Sequence, residues 1–335
     1  VSVGGLLTGM FGWQSALVLT AAIATLILVA GAIALPADQR GGRRRFDAAG
    51  STLLTGAAVA IVFAVLSVPR AGLISAEVLA AVVVAVVSSA GFVVVERRSS
   101  DPVLPLTAVK DLRFAGAIVV NLLGGAARIA CFVLVALLLQ QVLRYDPAHA
   151  GLAMLPTSLA GFVVSAALLP GVLRRFGPER TATAGLLLLA IAHLLFATID
   201  HGAPYAWRVL PALMLAATGV AFSFTPTTLV IADGLAARNA GVGSGLASAT
   251  AQLGGAIGIA VFGAVDATAR AIAAQASSDP VSTAHAGLSA AHLAAAATAA
   301  TAVLVAVLAF PALCRTRHKV PALLGADAQH QGNNR

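Results

Sequence analysis

One charge sits where charge is expensive. Arg128 lies near the middle of Phe114–Gln140, a run of 27 almost wholly apolar residues. A run of that length crosses a bilayer with some tilt. A helix rises about 1.5 Å per residue, which puts Arg128 close to the membrane midplane, too deep to snorkel fully to either surface. An unpaired Arg there costs roughly 2.5–3.5 kcal/mol on insertion scales, so it requires a partner, water or a ligand. Asn121, Gly125, Arg128 and Phe132 fall on one helical face at i, i+4, i+7 and i+11, which makes Asn121 the nearest polar neighbour on the same helix.

Other polar residues lie inside apolar runs. Gln252 is central in 240–265, where an amide either hydrogen-bonds a ligand or glues helices together. His193 is off-centre in 181–199, where an imidazole either relays a proton or packs on a helix face. Thr225, Pro226 and Thr227 bend 207–232 and assist gating, although Pro226 alone explains a kink. Gly241/Gly245 and Gly254/Gly258, with Gly255, are small-xxx-small pairs expected to form packing surfaces. None of the 13 acids sits mid-span; Glu77 is near a span end, and Asp233 and Asp266 flank spans. Proton coupling usually uses a membrane carboxylate, so that group is expected outside this sequence. No clustered His or acids, nucleophile motif or Gly-rich phosphate loop is present, which argues against an enzyme, a metal or a cofactor. Cys131 and Cys314 are far apart and form no disulfide framework.

The elements that position these residues are membrane spans. The chain is 59% hydrophobic and only 10% charged, with mean hydropathy +0.94; a soluble domain carries about 25% charge. The fold class is therefore an all-α polytopic membrane protein. The runs are continuous rather than alternating, which excludes a strand barrel. Spans are expected at 13–35, 48–68, 73–95, 114–140, 148–173, 181–199, 207–232, 240–265 and 287–313. A tight turn at Pro69–Gly72 is expected between the second and third.

The net charge of +8 is a topology signal rather than a nucleic-acid signal, because the basic residues lie in short loops. Sixteen of the 21 lie on one side of the membrane and four on the other, which makes the first side cytoplasmic and places the C-terminus inside. Glu96–Arg113, with Pro102 and Pro105, is a charged cytoplasmic linker. Asp266–Ala286 reads as a mobile external loop rich in Ala and Ser. The tail ending at Arg335 reads as disordered. Residue 1 is Val, and no signal peptide is seen. Val1–Gly9 reads as the tail of a helix already under way, so the chain is expected to be truncated at its N-terminus.

Several stretches carry a resemblance. Gly241-Val-Gly-Ser-Gly-Leu-Ala-Ser-Ala-Thr-Ala-Gln252-Leu-Gly254-Gly255-Ala-Ile-Gly258 closely resembles the penultimate span of the fourteen-span drug:proton antiporters of the major facilitator superfamily. Phe46-Asp47-Ala-Ala-Gly50 resembles the start of their first accessory span. Glu96-Arg97-Arg98 with Asp101-Pro102-Val-Leu-Pro105-Leu resembles their central linker. Tyr145-Asp146-Pro147-Ala-His-Ala-Gly151-Leu-Ala-Met-Leu-Pro156 resembles the entry to the second span of the C-terminal bundle. Gly4 and Gly5 match the end of the antiporter motif, with Val1 where that motif has Pro. Gly171, Arg174, Arg175 and Gly177 match a degenerate loop motif, with Arg174 where an acid is common.

The resemblance implies a major facilitator fold with a partial N-terminal bundle (1–35), two accessory spans with cytoplasmic linkers (36–111), a complete six-helix C-terminal bundle (112–313) and a cytoplasmic tail (314–335). Spans one to four are absent on that alignment, and the coupling carboxylate is expected there. It implies proton-driven efflux of drugs or amphipathic secondary metabolites by alternating access, without a cofactor, from the plasma membrane, by a monomer whose partners are a small-molecule substrate and the bilayer. Asn121, Arg128, Gln252 and Thr225 are then cavity residues and His193 a proton relay. Arg128 bonds an anionic group, or a carboxylate of the missing half, or else backbone carbonyls. Two alternatives are a carrier of a specific, anionic metabolite and an inactive fragment.

Overall fold

The computed structural model describes residues 11–34, 48–72, 74–98, 110–235 and 240–310. Among them, nine helices are long and apolar enough to cross a membrane. They are α1 (Gln14–Ala34), α2 (Ala48–Ala71), α3 (Ala76–Arg98), α4 (Leu112–Val142), α5 (Pro147–Phe176), α6 (Pro178–Ala197), α7 (Tyr205–Asp233), α8 (Ala240–Ala273) and α9 (Pro280–Ala309). The protein is an all-α, multi-pass membrane protein.

The outer surface is as apolar as the core. Leu28 on α1, Val87 on α3, Phe162 on α5 and Leu308 on α9 are all largely exposed, as lipid-facing side chains are. Inside, α2 packs on α3, α6 on α7 and α4 on α8, and α9 lies against α4, α6 and α8; α2 also touches α8. Lipid is as apolar as Leu, so these contacts depend on close van der Waals approach through small residues. The α9 core face is almost all alanine: Ala291, Ala295, Ala299, Ala302 and Ala306 are buried. A Cβ on Gly254 would run into the Leu122 carbonyl, and one on Gly258 would meet Ala126 Cα at 2.7 Å. Gly255 is closed off by Ile129. The three glycines thus bring α8 against α4 backbone to backbone.

The other expected glycine pair does not pack. A Cβ on Gly241 or Gly245 meets nothing within 4 Å. The close approach in that turn is made by Gly243, whose Cβ would lie 3.1 Å from Ala232 Cα on α7. Among the described residues, close packing in this part of α8 therefore runs through Gly243 rather than through Gly241 and Gly245.

One loop is shorter than expected, and one turn falls later in the chain. α8 continues through Asp266 to Ala273, and α9 starts at Pro280 rather than near residue 287. The expected long external loop therefore shrinks to a few residues. Asp266 and Arg270 form an i,i+4 ion pair on the helix, Arg270 Nε donating to Oδ2 at 2.8 Å, so these charges extend the helix instead of ending it. Asp279 caps α9, its carboxylate accepting from the Val281 and Ser282 amides. Likewise α2 runs through position 69 to Ala71, and the turn falls at Gly72, where φ is +87°.

Other ends follow local rules. Gly177 (φ +81°) closes α5, its N–H donating to the Leu173 carbonyl at 2.9 Å, and Pro178 opens α6. Arg174 and Arg175 lie exposed in that last turn, where cations suit the helix dipole, and Gly171 has open space around it. Asp146 caps α5 through the Ala148 and His149 amides, and the His149 amide is the main reason its carboxyl is held below the usual range. Among the described residues, three five-residue π segments lie in the spans, at Leu138–Val142, Val164–Leu168 and Tyr205–Val209.

Candidate functional site: a buried arginine network and a histidine pair

Arg128 is 3% exposed on α4. Its Nη2 donates to the Asn121 Oδ1 at 2.9 Å and to the Asn121 carbonyl at 3.3 Å, and its Nη1 donates to Ser223 Oγ on α7 at 3.3 Å. Asn121 in turn donates through Nδ2 to the Ala247 carbonyl at 2.7 Å and to Thr250 Oγ1 at 2.8 Å, both on α8. One guanidinium thus ties three helices together. Its charge is bonded but not neutralised: among the described residues no carboxylate pairs with it. The guanidinium carbon lies 5.6 Å from the centroid of the Phe224 ring, which is 44% exposed and forms the open edge of the cluster.

The four residues of the expected face divide their work. Asn121 and Arg128 hold the network. Gly125 lets the Ala251 backbone approach α4, and Phe132 packs into the core beside Cys131 and Met154. On α7, Pro226 and Thr227 are buried, and Thr227 Oγ1 bonds the Ser223 carbonyl at 2.6 Å, while Thr225 is exposed next to Phe224. Gln252 is exposed on α8, outside the network.

His193 is fully buried on α6 and is not alone. Its Nδ1 lies 2.9 Å from Nδ1 of His292 on α9, and its Nε2 lies 3.2 Å from the Ala127 carbonyl on α4. Phe196 stacks on the His292 ring with centroids 5.2 Å apart. His292 went unnoticed in the sequence, although a second histidine inside an apolar run was a usable signal. Ser223 and Thr250 carried no such signal, since hydroxyls are common in membrane helices.

Two ion pairs mark the ends of the bundle. At one end Arg113 donates from Nε and Nη2 to Glu179 Oε1 at 2.9 and 2.6 Å, joining the starts of α4 and α6. At the other, Arg270 bonds Asp266 and also Gln141 Oε1 at 2.7 Å, joining α8 to the π segment that ends α4. Away from all of these, an open groove of about 890 Å³ runs along α2 and α3, lined by Ser51, Thr52, Thr55, Phe63 and Glu77 among others. Gly4, Gly5, Cys314, the Arg40–Arg45 loop, most of the Glu96–Arg113 linker and the tail lie outside the described residues.

Known proteins give this arrangement a setting. The chain is 34% identical over 264 residues to the multidrug resistance protein Stp of Mycobacterium tuberculosis, an alignment covering 79% of this chain and 49% of that protein. It is 32% identical over 268 residues to the tetracenomycin C resistance and export protein of Streptomyces glaucescens, covering 78% and 48%. The multidrug efflux pump LfrA of Mycolicibacterium smegmatis is 28% identical over 263 residues, covering 78% and 52%. The chain thus spans about half the length of these relatives. In fold it matches the crystal structure of the POT family transporter PepTSo with a TM-score of 0.54 at 18% identity, covering 95% of this chain and 69% of that one. The model of the Major Facilitator Superfamily matches residues 1–259, and with membrane-length helices packed through small residues the chain belongs to that superfamily.

Proposed function

We propose that the protein carrying this chain exports drugs or amphipathic secondary metabolites across the plasma membrane, driven by the proton gradient, by alternating access. The observation that carries the site is the Arg128 network: a buried, un-neutralised cation where α4, α7 and α8 meet, with Phe224 at its open edge. A cation held by neutral groups at this depth is a place to receive an anionic or acceptor-rich part of a substrate. The printed names of the relatives, multidrug resistance, export and efflux, support the substrate class.

In this reading Asn121, Arg128, Thr225 and Gln252 line the cavity, Arg128 orienting the substrate and Phe224 stacking on it. Gly254, Gly255 and Gly258 hold α8 to α4, and Pro226 sets the bend of α7. The bundle 112–313 is one rocking unit, 48–98 an accessory pair, and the protein acts as a monomer with its C-terminus in the cytoplasm. It takes no cofactor, catalyses no covalent chemistry and does not bind nucleic acid. A second reading, a carrier for one anionic metabolite, is favoured by the same uncompensated charge.

The test is accumulation of a fluorescent dye by everted membrane vesicles carrying the protein, under an imposed proton gradient. The expected result is uptake that collapses with an uncoupler. No uptake of any dye by inserted, folded protein contradicts broad drug export.

A further inference from the structure

The hydrogen bonds of the histidine pair fix its tautomers. A carbonyl only accepts, so the His193 nitrogen facing the Ala127 oxygen, Nε2, carries the proton. A neutral imidazole has one N–H, so His193 Nδ1 is an acceptor, and His292 Nδ1 must donate to it across 2.9 Å. His292 Nε2 is then a bare lone pair. It is buried and has no hydrogen-bond partner. An unsatisfied acceptor inside an apolar bundle calls for an explanation.

It also has company. His285 Nε2 and Asp266 Oδ1 are buried without hydrogen-bond partners too. Asp266 presses against α9 at Gly287, where an added Cβ would lie 2.5 Å from its Oδ1. Gly287 is two residues from His285 and five from His292, about 7.5 Å along the helix axis for the longer step. His285 and His292, seven residues apart, share one face of α9, whereas Asp266 meets the helix at Gly287, on nearly the opposite side.

We infer that the histidine pair is a proton-binding site, with His292 Nε2 the acceptor and His193 the inner terminus. The inference rests on the proton-coupled reading above. A proton arriving from the aqueous end adds to the Nε2 lone pair without breaking either existing bond. The Nδ1 proton of His292 then passes to His193 Nδ1, and the charge settles on His193, whose Nε2–H bond to Ala127 becomes charge-assisted. His292 returns to neutral as the other tautomer. Ala127 adjoins Arg128 in sequence, so the pair bonds the same helix that carries the substrate site.

The ionisable groups set against α9 by the packed helices are His193 from α6 and Asp266 and Arg270 from α8, with His285 on α9 itself. From α4 come the Ala127 carbonyl and the buried Cys131 thiol; its charged residues Arg113 and Arg128 are bonded to Glu179 and to Asn121 and Ser223. The π segment Leu138–Val142 brings no ionisable group.

The test is a pH titration of the protein, ¹⁵N-labelled at its histidine rings, in lipid nanodiscs. A scalar coupling across the Nδ1–H···Nδ1 bond identifies the pair in the parent protein without substitution. The expected result is His292 protonated on Nδ1 and His193 on Nε2 in alkaline buffer, with one proton, not two, added to the pair on acidification. In vesicles, His292→Gln loses the response of dye uptake to an imposed gradient. A pair that stays neutral throughout, that carries the opposite tautomers, or a His292→Gln protein with the parental gradient response overturns the inference. A parent protein without gradient-driven uptake overturns the transport reading instead, and the titration still decides the site.

Discussion

Arg128 gives the residue scale its sharpest expectation. Its planar fork bonds Asn121 and Ser223 at once, which a Lys ammonium does not reproduce. Arg128→Lys is therefore expected to lose anionic-dye uptake nearly as far as Arg128→Ala. A hydrogen bond to a charged group contributes about 1.5–3 kcal/mol, and the melting temperature in detergent should fall accordingly in both variants. Ser223→Ala removes the 3.3 Å bond from Arg128 and the hydroxyl's own bond to the Val220 carbonyl, and should cost about 1 kcal/mol with transport retained in part. The depth of Arg128 was legible because the energy of a buried charge depends on its position in an apolar run. Its partner on α7 was not, since Ser223 is 95 residues away and brought near only by packing. Asn121, one face and two turns away, was found from helical spacing alone. His292, a second histidine inside an apolar run, is a signal in the sequence; that it meets His193 is set by the packing of α6 against α9.

At the scale of elements, the glycines separate packing from open surface. Gly254→Leu drives a side chain into the Leu122 backbone and should destabilise the protein by about 3 kcal/mol or more, read as a drop in melting temperature. Gly241→Ala, with open space around it, should be neutral or stabilise by about 0.5–1 kcal/mol through helix propensity. A large loss at Gly241 would mean that another segment covers that face. Gly177→Ala forces a Cβ into the left-handed region at φ +81°, at a cost of about 1–2 kcal/mol by the same measurement. The spans themselves were legible almost residue by residue from hydropathy. The ends of α8 and α9 were not, because charges that pair along a helix look like loop charges in one dimension. Asp266 and Arg270 are the case in point.

At the scale of the whole molecule, small residues draw six spans around the Arg128 network and the histidine pair, and an ion pair braces the starts of α4 and α6. Arg113 and Glu179 are 34% and 11% exposed, so the pair is worth more than a fully solvated one, though still only about 1 kcal/mol. Glu179→Gln should lower thermal stability by roughly that amount and, if the brace holds one conformation, change the rate of dye uptake more than its extent. The chain's membership of the superfamily was legible from motif stretches that cover most of its length. The internal wiring of the bundle needed three dimensions.

The central claim is that the charge of Arg128 receives the substrate. It is tested most directly by comparing an anionic and a cationic dye in everted vesicles, with the parent protein and Arg128→Ala side by side under the same proton gradient. The account predicts that the substitution abolishes uptake of the anionic dye and reduces the cationic dye far less. Equal loss of both dyes by a folded variant, or full retention of both, would contradict it.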